Sequence, residues 1–333
     1  MTDTANARPD SATPEASLIM LSFNTIELLR QSLSQLIDAA REIDAEIIVV
    51  DNASHDGSAD MVEREFPQVK LIRAQMNLGF AGGNNLGAKH ARGDYLILVN
   101  SDAFIQPGSL ARGLDRMRQQ PRVGLAGGLL IGKDGQPEPS ARCFPSPLND
   151  LLSLTGLAAR FPRSRFFGRF DRTWADPQQP ADVDWVPGAF CIVRRAAIDQ
   201  TGFFDERYFL YYEEVDLCRR LRRSGWTIAY WPDLRAEHWG GESSKTVSGE
   251  QVSNHGRQLI LWRMRSGLLY YRRRHGRVHA WLAKAIEQNW HRLRRLRNRG
   301  HAEKRAESEQ IIDLLERAWR ETRAGRVSPP RPW

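Results

Sequence analysis

Apolar stretches and helical patterns alternate along the first third of this chain of 333 residues. Each apolar stretch is short, carries almost no polar residue inside it, and ends in a polar one. Strands of this kind are typical of a parallel sheet covered on both faces. The pattern therefore predicts an α/β fold with strands at 17–23, 46–51, 69–74 and 94–100 and helices at 26–42 and 81–91.

The second half of the chain is less regular before it becomes periodic again. Residues 127–184 are rich in Pro and Arg, which predicts one strand followed by long loops. The later pattern predicts order at 183–193, a helix at 213–223, strands at 227–231 and 235–239, a flexible loop at 240–249, and three helical segments over 253–323 broken at Gly276 and Gly300.

Polar side chains follow three of the four early strands. Ser22 and Asn24 follow the first, Asp51 the second, and Ser101 with Asp102 the fourth. Each of these residues alone is more typical of a helix N-cap. Ligands of open α/β sheets bind beyond the carboxyl ends of the strands, where these side chains converge. Their occurrence after neighbouring strands therefore favours a binding site.

The segment from Asn77 to Asn85 (NLGFAGGNN) consists mostly of Gly and Asn. Glycines allow a backbone to approach a diphosphate closely, and a helix N-terminus attracts anions. Glycines also allow a helix to pack closely on a sheet, and both interpretations remain open. The residues predicted to bind a ligand here are Asn77, Gly79, Phe80, Gly82, Asn84 and Asn85.

Three acids and one histidine are candidates for catalysis or metal binding. Asp102 at a strand end is suited to hold Mg²⁺ or Mn²⁺ together with phosphate oxygens. Glu213 and Glu214 lie among aromatic residues, where a carboxylate with a raised pKa can act as a general base. An acidic first turn of an ordinary helix is the alternative. His238 follows a late strand and becomes a candidate ligand only if the fold brings it to Asp102.

Composition changes the picture little, because 41% hydrophobic and 26% charged residues are ordinary for a globular protein. No apolar run is long enough for a transmembrane helix. The three cysteines lack metal-ligand spacing and are too few for a disulfide framework, so a reducing cytoplasm fits best.

The positive charge lies mainly at the C-terminal end. From Arg257 onward the chain carries 20 Lys and Arg against 7 Asp and Glu, with tryptophans interleaved. This pattern is typical of an anionic membrane surface, but a helix packed on the rest of the protein and a homodimer contact remain alternatives. A basic nucleic-acid-binding protein is the rival class. It leaves the acidic strand ends unexplained, and we expect no nucleic acid as a partner.

Seven stretches, in order, resemble the family 2 glycosyltransferases of GT-A fold, especially the bacterial rhamnosyltransferase-like branch. The resemblance covers roughly residues 17–275. The stretches are SFNT (22–25), VVDNASHDGS (49–58), NLGFAGGNN (77–85), LVNSDAFI (98–105), WVPGAF (185–190), GFFDERYFLYYEEVDLCRRLRRSGW (202–226) and EHWGGESS (237–244).

The resemblance implies a role for each matching residue. Asp51 would contact the base or ribose of a nucleotide, and Asp102 would bind the metal that bridges its diphosphate. Glu214 stands where the family has its catalytic base, after Glu213, and His238 matches a histidine that reaches the metal or diphosphate in some relatives. Asn100 replaces the first acid of the metal-binding motif, and Glu214 replaces the usual Asp. The other donor-side residues implied are Ser22, Asn24, Asn77, Gly79, Phe80, Gly82, Asn84, Asn85, Ser101 and Trp185.

The function that the resemblance implies is inverting transfer of a sugar from a nucleotide-sugar donor to a hydroxyl. L-Rhamnose from dTDP-rhamnose is the expected donor, and a glycan or polyprenyl-diphosphate-linked glycan of the bacterial cell envelope is the expected acceptor. The cofactor would be Mg²⁺ or Mn²⁺. A catalytically inactive scaffold of the same fold is the alternative. The enzyme would be cytoplasmic or peripheral on the inner face of the membrane.

Composition, the helical pattern and the resemblance together divide the chain into four expected units. Residues 1–16 would form a disordered leader, and 17–255 a GT-A catalytic domain with a mainly parallel central sheet. Within that domain the nucleotide-binding half would be about 17–130 and the acceptor-side half about 131–255. A basic helical C-terminal extension would follow at 256–326, and a disordered tail at 327–333.

Overall fold

Nine strands form one mixed sheet in the computed structural model, which describes residues 13–240 and 252–329. In chain order they are β1 (Ala16–Ser22), β2 (Ala45–Asp51), β3 (Lys70–Arg73), β4 (Tyr95–Asn100), β5 (Ala103–Ile105), β6 (Val123–Gly132), β7 (Ala181–Asp182), β8 (Phe190–Arg194) and β9 (Thr227–His238).

Helices of widely different length connect and cover these strands. In the described residues they are α1 (Ile26–Ala40), α2 (Ser58–Glu65), α3 (Gly79–His90), α4 (Ser109–Gln119), α5 (Pro147–Leu154), α6 (Leu157–Arg160), α7 (Arg195–Thr201), α8 (Glu213–Arg223), α9 (Val252–His275), α10 (Arg277–Arg297) and α11 (Ala302–Glu321).

The strands lie in the order β3-β2-β1-β4-β8-β6-β9-β5, and β7 pairs with β9. The first four predicted strands are confirmed, and they pair in parallel. Strand β8 runs antiparallel between β4 and β6, while β6 and β9 are parallel. Because Ser22 lies opposite Asp51, and Leu21 opposite Asn100, the polar residues that follow β1, β2 and β4 meet at one edge of the sheet.

Two layers of apolar side chains cover the sheet. Helices α1, α2 and α4 bury Leu33, Met61 and Leu114 against one face. Helices α3, α7 and α8 bury their small and apolar residues against the other face, where Tyr270 of α9 joins the same core. The uniformly apolar strands follow from this burial on both sides.

The glycine-rich segment is mainly a helix rather than a loop. Helix α3 begins at Gly79 and packs on β1. A Cβ atom on Gly83 would lie 2.3 Å from Leu21 Cδ1, and one on Gly87 would lie 2.6 Å from Ile19 Cγ2. The interpretation as a close helix-on-sheet contact therefore describes these glycines, and contact with a diphosphate stays a prediction.

Two predictions about the second half were wrong. The strands predicted at 227–231 and 235–239 are one strand, β9. Its register against β6 shifts between Gly128 and Leu129, so that residues 232–234 have no partner on β6. This irregularity explains why the sequence pattern predicted two strands with a break between them. The supposed loops of 127–184 contain helix α5, which Ser146 caps by accepting from the backbone N–H of Asn149.

The C-terminal helices have the predicted breaks at Gly276 and near Gly300, and they pack on the rest of the protein. Asp216 of α8 is fully buried and accepts hydrogen bonds from Arg274 of α9, at 2.6 Å from Nε and 2.8 Å from Nη2. Arg220 Nε donates to the same carboxylate at 2.9 Å. Packing on the rest of the protein, one of the three interpretations of the basic end, is therefore observed.

Replacing Asp216 with alanine should destabilise the protein by about 3 kcal/mol, because it leaves two guanidinium groups without their buried partner. Urea unfolding would measure the loss. Glu309→Ala removes one partner of an exposed pair with Arg305 and should cost less than about 0.5 kcal/mol. Equal losses in the two variants would contradict this account of the joint between α8 and α9.

None of the described helices is long and apolar enough to cross a membrane. The leader predicted at 1–16 and the tail at 327–333 lie mostly outside the described residues, as does most of the loop at 240–249. The four expected units stay a prediction.

Candidate active site

Hydroxyl groups link the ends of β1 and β4. Ser22 Oγ lies 3.3 Å from Thr25 Oγ1, which donates to Ser101 Oγ at 3.2 Å. Ser32 of α1 donates to the backbone carbonyl of Ser101 at 2.8 Å. The turn that carries Ser101 and Asp102 is therefore held by buried polar contacts, and Asp102 itself is 3% exposed.

The end of β2 holds a buried carboxylate with one unused oxygen. Asp51 is 4% exposed, and its Oδ2 accepts from the backbone N–H of Ser54 at 3.0 Å. Its Oδ1 has no partner in the described part of the chain. Asn24, in the left-handed conformation with φ 51°, accepts from the backbone N–H of His55 at 2.8 Å. A buried acceptor without a partner is costly, so this oxygen is suited to a ligand that brings a donor.

The predicted residues after β3 make contacts within the protein. Asn77 Oδ1 accepts from Asn52 Nδ2 at 2.9 Å and from the backbone N–H of Gly79 at 2.8 Å. The N–H of Phe80 donates to the carbonyl of Phe209 at 2.8 Å. These bonds tie the start of α3 to the segment that precedes α8.

The remaining members of this segment behave similarly. Asn84 Nδ2 donates to the carbonyl of Phe80 at 2.9 Å, and Gly82 packs against Leu78. The amide of Asn85 exchanges hydrogen bonds with the backbone of Phe204 at 2.9 and 3.1 Å. Binding of a nucleotide-sugar donor by these residues stays a prediction. Their hydrogen bonds within the protein are observed.

The fold brings His238 to Asp102, which was the condition for His238 to be a candidate metal ligand. His238 ends β9 and pairs with Ala103 of β5, so its ring faces the turn at Asp102. Its Nε2 lies 3.6 Å from Asp102 Oδ1. Its Nδ1 lies 2.9 Å from Oε2 of Glu138, a residue in the hairpin after β6.

Asp102 and His238 are the two predicted metal ligands, and the fold places them side by side. No group of three or more His, Cys, Asp and Glu in the described ranges has the arrangement of a complete metal site. Asp102 and His238 can supply two ligands, while Glu138 occupies the opposite nitrogen of the imidazole. A hard divalent ion that takes its other ligands from phosphate and water is compatible with this set.

Glu213 and Glu214 begin α8, and they lie in different surroundings. Glu213 is 3% exposed, whereas Glu214 lines a cavity of about 590 Å³. Burial raises the pKa of the Glu214 carboxyl above its ordinary value of 4.5, although the positive charge of Arg142 opposes the rise. Burial and the neighbouring Glu214 carboxylate raise the pKa of Glu213 well above that value. Each residue keeps one buried oxygen without a partner in the described chain.

The turn before α8 is strained. Tyr211 and Tyr212 both have φ near 69°, a region that residues with a bulky side chain rarely adopt. Such strain persists only when the surroundings enforce it, and it is common at functional sites. The turn points Glu214 toward the cavity, whose wall also contains Trp185.

Two residues around the site were missed by the sequence analysis. Glu138 lies 100 positions from His238 in the chain and belongs to no recognised motif. Arg142 stacks on the rings of Trp185 and Phe170, each 4.6 Å from its centroid, and donates to Asp171 at 2.7 Å. The Pro- and Arg-rich composition of this region is the only signal that pointed to them.

The family model described as glycosyl transferase family 2 matches residues 17–171. An N-acetylglucosaminyl-diphospho-decaprenol L-rhamnosyltransferase of Mycobacterium tuberculosis is 30% identical over 237 residues, which are 68% of this chain and 76% of that protein. Rhamnosyltransferase WbbL of Escherichia coli is 29% identical over 92 residues, 28% of this chain and 32% of that one.

Two solved structures confirm the predicted GT-A fold. The mannosyltransferase PcManGT from Pyrobaculum calidifontis, in complex with GDP-Man and Mn²⁺, has a TM-score of 0.52 at 16% identity and covers 96% of this chain and 78% of its own. GalNAc-T7 with UDP, GalNAc and Mn²⁺ has a TM-score of 0.51 at 15% identity, covering 79% of this chain and 50% of its own.

Proposed function

Since this chain belongs to glycosyl transferase family 2, we propose that it transfers L-rhamnose from dTDP-rhamnose to a hydroxyl of a sugar carried on a polyprenyl diphosphate. The sugar and the lipid-linked acceptor follow the name of the Mycobacterium tuberculosis relative. The dTDP carrier follows from the resemblance of the motifs. The observation that carries the proposal is Glu214, a half-buried residue whose Oε2 is buried without a partner in the described chain, on the wall of an aromatic cavity.

The nucleotide would lie against the carboxyl ends of β1, β2 and β4. Asp51 Oδ1 is buried and has no partner in the described chain, so it can accept a hydrogen bond from a base N–H or a ribose hydroxyl. Asn24 and the turn at Ser54 and His55 would shape this pocket, since they surround the same carboxylate.

Asp102 and His238 would hold Mg²⁺ or Mn²⁺, and both structural relatives contain Mn²⁺ beside a nucleotide or nucleotide sugar. Asn100 contributes no charge here, so Asp102 is the carboxylate on which the site depends. When bound, the ion supplies positive charge that stabilises the departing nucleoside diphosphate.

Glu214 would act as the general base of an inverting, single-displacement reaction. Its carboxylate takes the proton of the acceptor hydroxyl while that oxygen attacks the anomeric carbon. The bond from this carbon to the diphosphate oxygen breaks in the same step, and the configuration at the carbon inverts. A raised pKa makes Glu214 a stronger base than an exposed carboxylate.

Product analysis with a set of nucleotide sugars tests the proposal. The purified protein would be incubated with Mg²⁺ or Mn²⁺, an N-acetylglucosaminyl diphosphate lipid, and dTDP-rhamnose, UDP-glucose or GDP-mannose in turn. We expect rhamnosylated lipid from dTDP-rhamnose alone, with the inverted anomeric configuration by NMR. Transfer from another donor would overturn the sugar, and nucleotide binding without any transfer would favour the inactive scaffold.

Glu138→Gln should weaken Mn²⁺ binding in the presence of dTDP by about 10- to 100-fold, the usual cost of losing a carboxylate that orients a metal-binding histidine. The contact of Glu138 with Nδ1 leaves Nε2 facing Asp102. Titration followed by electron paramagnetic resonance measures the free Mn²⁺. Asp134→Ala alters an exposed acid of the same hairpin and should leave the affinity unchanged. Equal affinities in both variants would rule out the orienting role.

We also propose that α10 rests on an anionic membrane. Leu293 and Leu296 are 61% and 48% exposed on this helix, among arginines that suit acidic headgroups. The double variant Leu293→Ser/Leu296→Ser should bind anionic vesicles at least about tenfold more weakly, because both side chains would leave the lipid interface. Co-sedimentation measures this, with Val327→Ser as a control at another exposed apolar residue.

The molecular mass of the double variant distinguishes a membrane contact of these leucines from a homodimer contact. Loss of vesicle binding at an unchanged molecular mass supports the membrane. A mass that falls from two chains to one in the double variant would instead assign these leucines to a dimer.

A further inference from the structure

The cavity beside Glu214 is lined mostly by residues after position 171, where the match to the family model ends. Its volume is about 590 Å³, which suits a ligand larger than one sugar. Helix α5 and the segment before α8 form one side, and the C-terminal helices form the other. The residues that line it are Arg142, Pro145, Asp150, Ser153, Leu154, Phe170, Trp185, Pro187, Tyr211, Tyr212, Glu214, Val215, Arg263, Met264, Gly267, Leu268, Tyr271, Ala283, Lys284, Glu287 and Leu315.

The wall around Glu214 is aromatic and polar. Trp185 carries the stacked guanidinium of Arg142 and donates from Nε1 to the carbonyl of Cys143 at 2.8 Å. Tyr211 and Tyr212 complete this wall. Aromatic faces with charged groups between them are suited to the apolar faces and hydroxyls of a sugar.

The wall formed by the C-terminal helices has an apolar part and a charged part, the latter made of Arg263, Lys284 and Glu287. Met264 and Leu268 of α9 and Leu315 of α11 belong to a small hydrophobic cluster between those helices, and they also line the cavity. Leu154 of α5 and Ala283 of α10 also line the cavity. No sugar hydroxyl would find a partner on these apolar side chains, so this part of the wall suits a hydrocarbon chain.

Apolar side chains continue from the cavity to the protein surface. On α5, Leu151 lies one turn from Leu154 and is 38% exposed. On α10, Trp281 lies one turn from the cavity residue Lys284 and is 56% exposed. Residues three apart share one face of a helix, and α5 packs on α10. A chain that leaves the cavity therefore meets further apolar surface.

We infer that this cavity binds the acceptor as an amphipathic molecule, with its sugar hydroxyl at Glu214 and its lipid chain along α9, α10 and α11. The inference rests on the proposed function, and it assigns selection of the lipid to the C-terminal helices. The selecting residues Met264, Leu268, Ala283 and Leu315 all lie beyond the match to the family model, which ends at residue 171.

Ala283→Trp tests the inference by filling the apolar end of the cavity. The KM for a polyprenyl-linked acceptor should rise at least about tenfold, because the lipid chain loses buried contact area. Ala285→Trp is the matched control, since residue 285 lies on the same helix but about 200° around its axis. It should leave the KM unchanged. Calorimetry with dTDP and the melting temperature would show that both variants are folded.

A second measurement uses the unaltered protein and needs no variant to fold. Acceptors with one sugar diphosphate and a methyl, decyl or polyprenyl group would be compared, and KM should fall as the chain lengthens. A KM that does not depend on chain length, or that rises equally in both variants, overturns the inference. In those cases transfer by the unaltered protein still supports the proposed function. Absence of transfer to every acceptor would instead refute that function.

Discussion

Glu214→Gln should lower the rate of transfer by about 10² or more at saturating donor and acceptor, the usual range for loss of a general base. The amide keeps the volume of the side chain but cannot take the acceptor proton. Donor binding should survive, because Glu214 lines the cavity proposed for the acceptor, whereas the residues proposed to bind the nucleotide lie at the strand ends. Rates of sugar transfer and calorimetry with dTDP measure the two effects.

The pH dependence of the same reaction gives an independent check. Burial raises the pKa of Glu214 above 4.5, and the residue is a base only when deprotonated. The rate should therefore fall as the pH drops through this raised pKa. The acidic limb should be missing from the residual activity of Glu214→Gln.

Glu213→Gln is the matched control on the neighbouring residue. Consecutive helix residues point about 100° apart, and Glu213 is buried at 3% exposure, so its loss should cost less activity. Its raised pKa favours folding at low pH, and this contribution is lost as the pH rises. The variant should therefore be more stable than the parent at neutral pH. If Glu213→Gln were inactive and Glu214→Gln nearly normal, the base would be Glu213.

Asp102→Ala should abolish both transfer and metal-dependent binding of dTDP, the second large effect. Asp102 Oδ1 lies 3.6 Å from His238 Nε2, and Asn100 carries no charge that could replace it. The diphosphate charge would then lack a bound ion, because a hard cation needs such an oxygen ligand. Calorimetry with and without Mn²⁺ measures binding, and circular dichroism verifies the fold.

Asn100→Ala is the control for Asp102, since Asn100 ends β4 two residues earlier and carries no charge. It should retain measurable metal-dependent binding. Activity of Asp102→Ala at saturating donor would refute the proposed metal role, whatever the effect on stability.

Local patterns were sufficient where burial was uniform. The apolar runs of β1, β2 and β4 are covered on both faces, so their composition alone predicted strands that end in polar residues. Helix α8 was predicted with its observed bounds, because its acidic first turn and basic last turn match the helix dipole. Gly276, at φ 88°, marked the break between α9 and α10.

Contacts between distant segments were not predictable from one sequence. Glu138 meets His238 because the hairpin after β6 lies beside the end of β9, and no local pattern records that pairing. The antiparallel direction of β8 and the register shift in β9 also depend on neighbours far along the chain. The glycines of α3 have two physical explanations, and the closeness of β1 to that helix is visible only in the fold.

The ion pair between Asp216 and Arg274 bears on how this enzyme can be re-engineered. Asp216 stands two positions after Glu214 on the same helix, while Arg274 belongs to the C-terminal helices that line the cavity. A chimera that exchanged residues 252–329 alone would break this ion pair and should disturb Glu214, the proposed base, together with the cavity wall. Helix α8 and the C-terminal helices should therefore be exchanged together in a chimera. Acceptor preference would then change through substitutions within this unit, and exchange of the C-terminal helices alone would not achieve it.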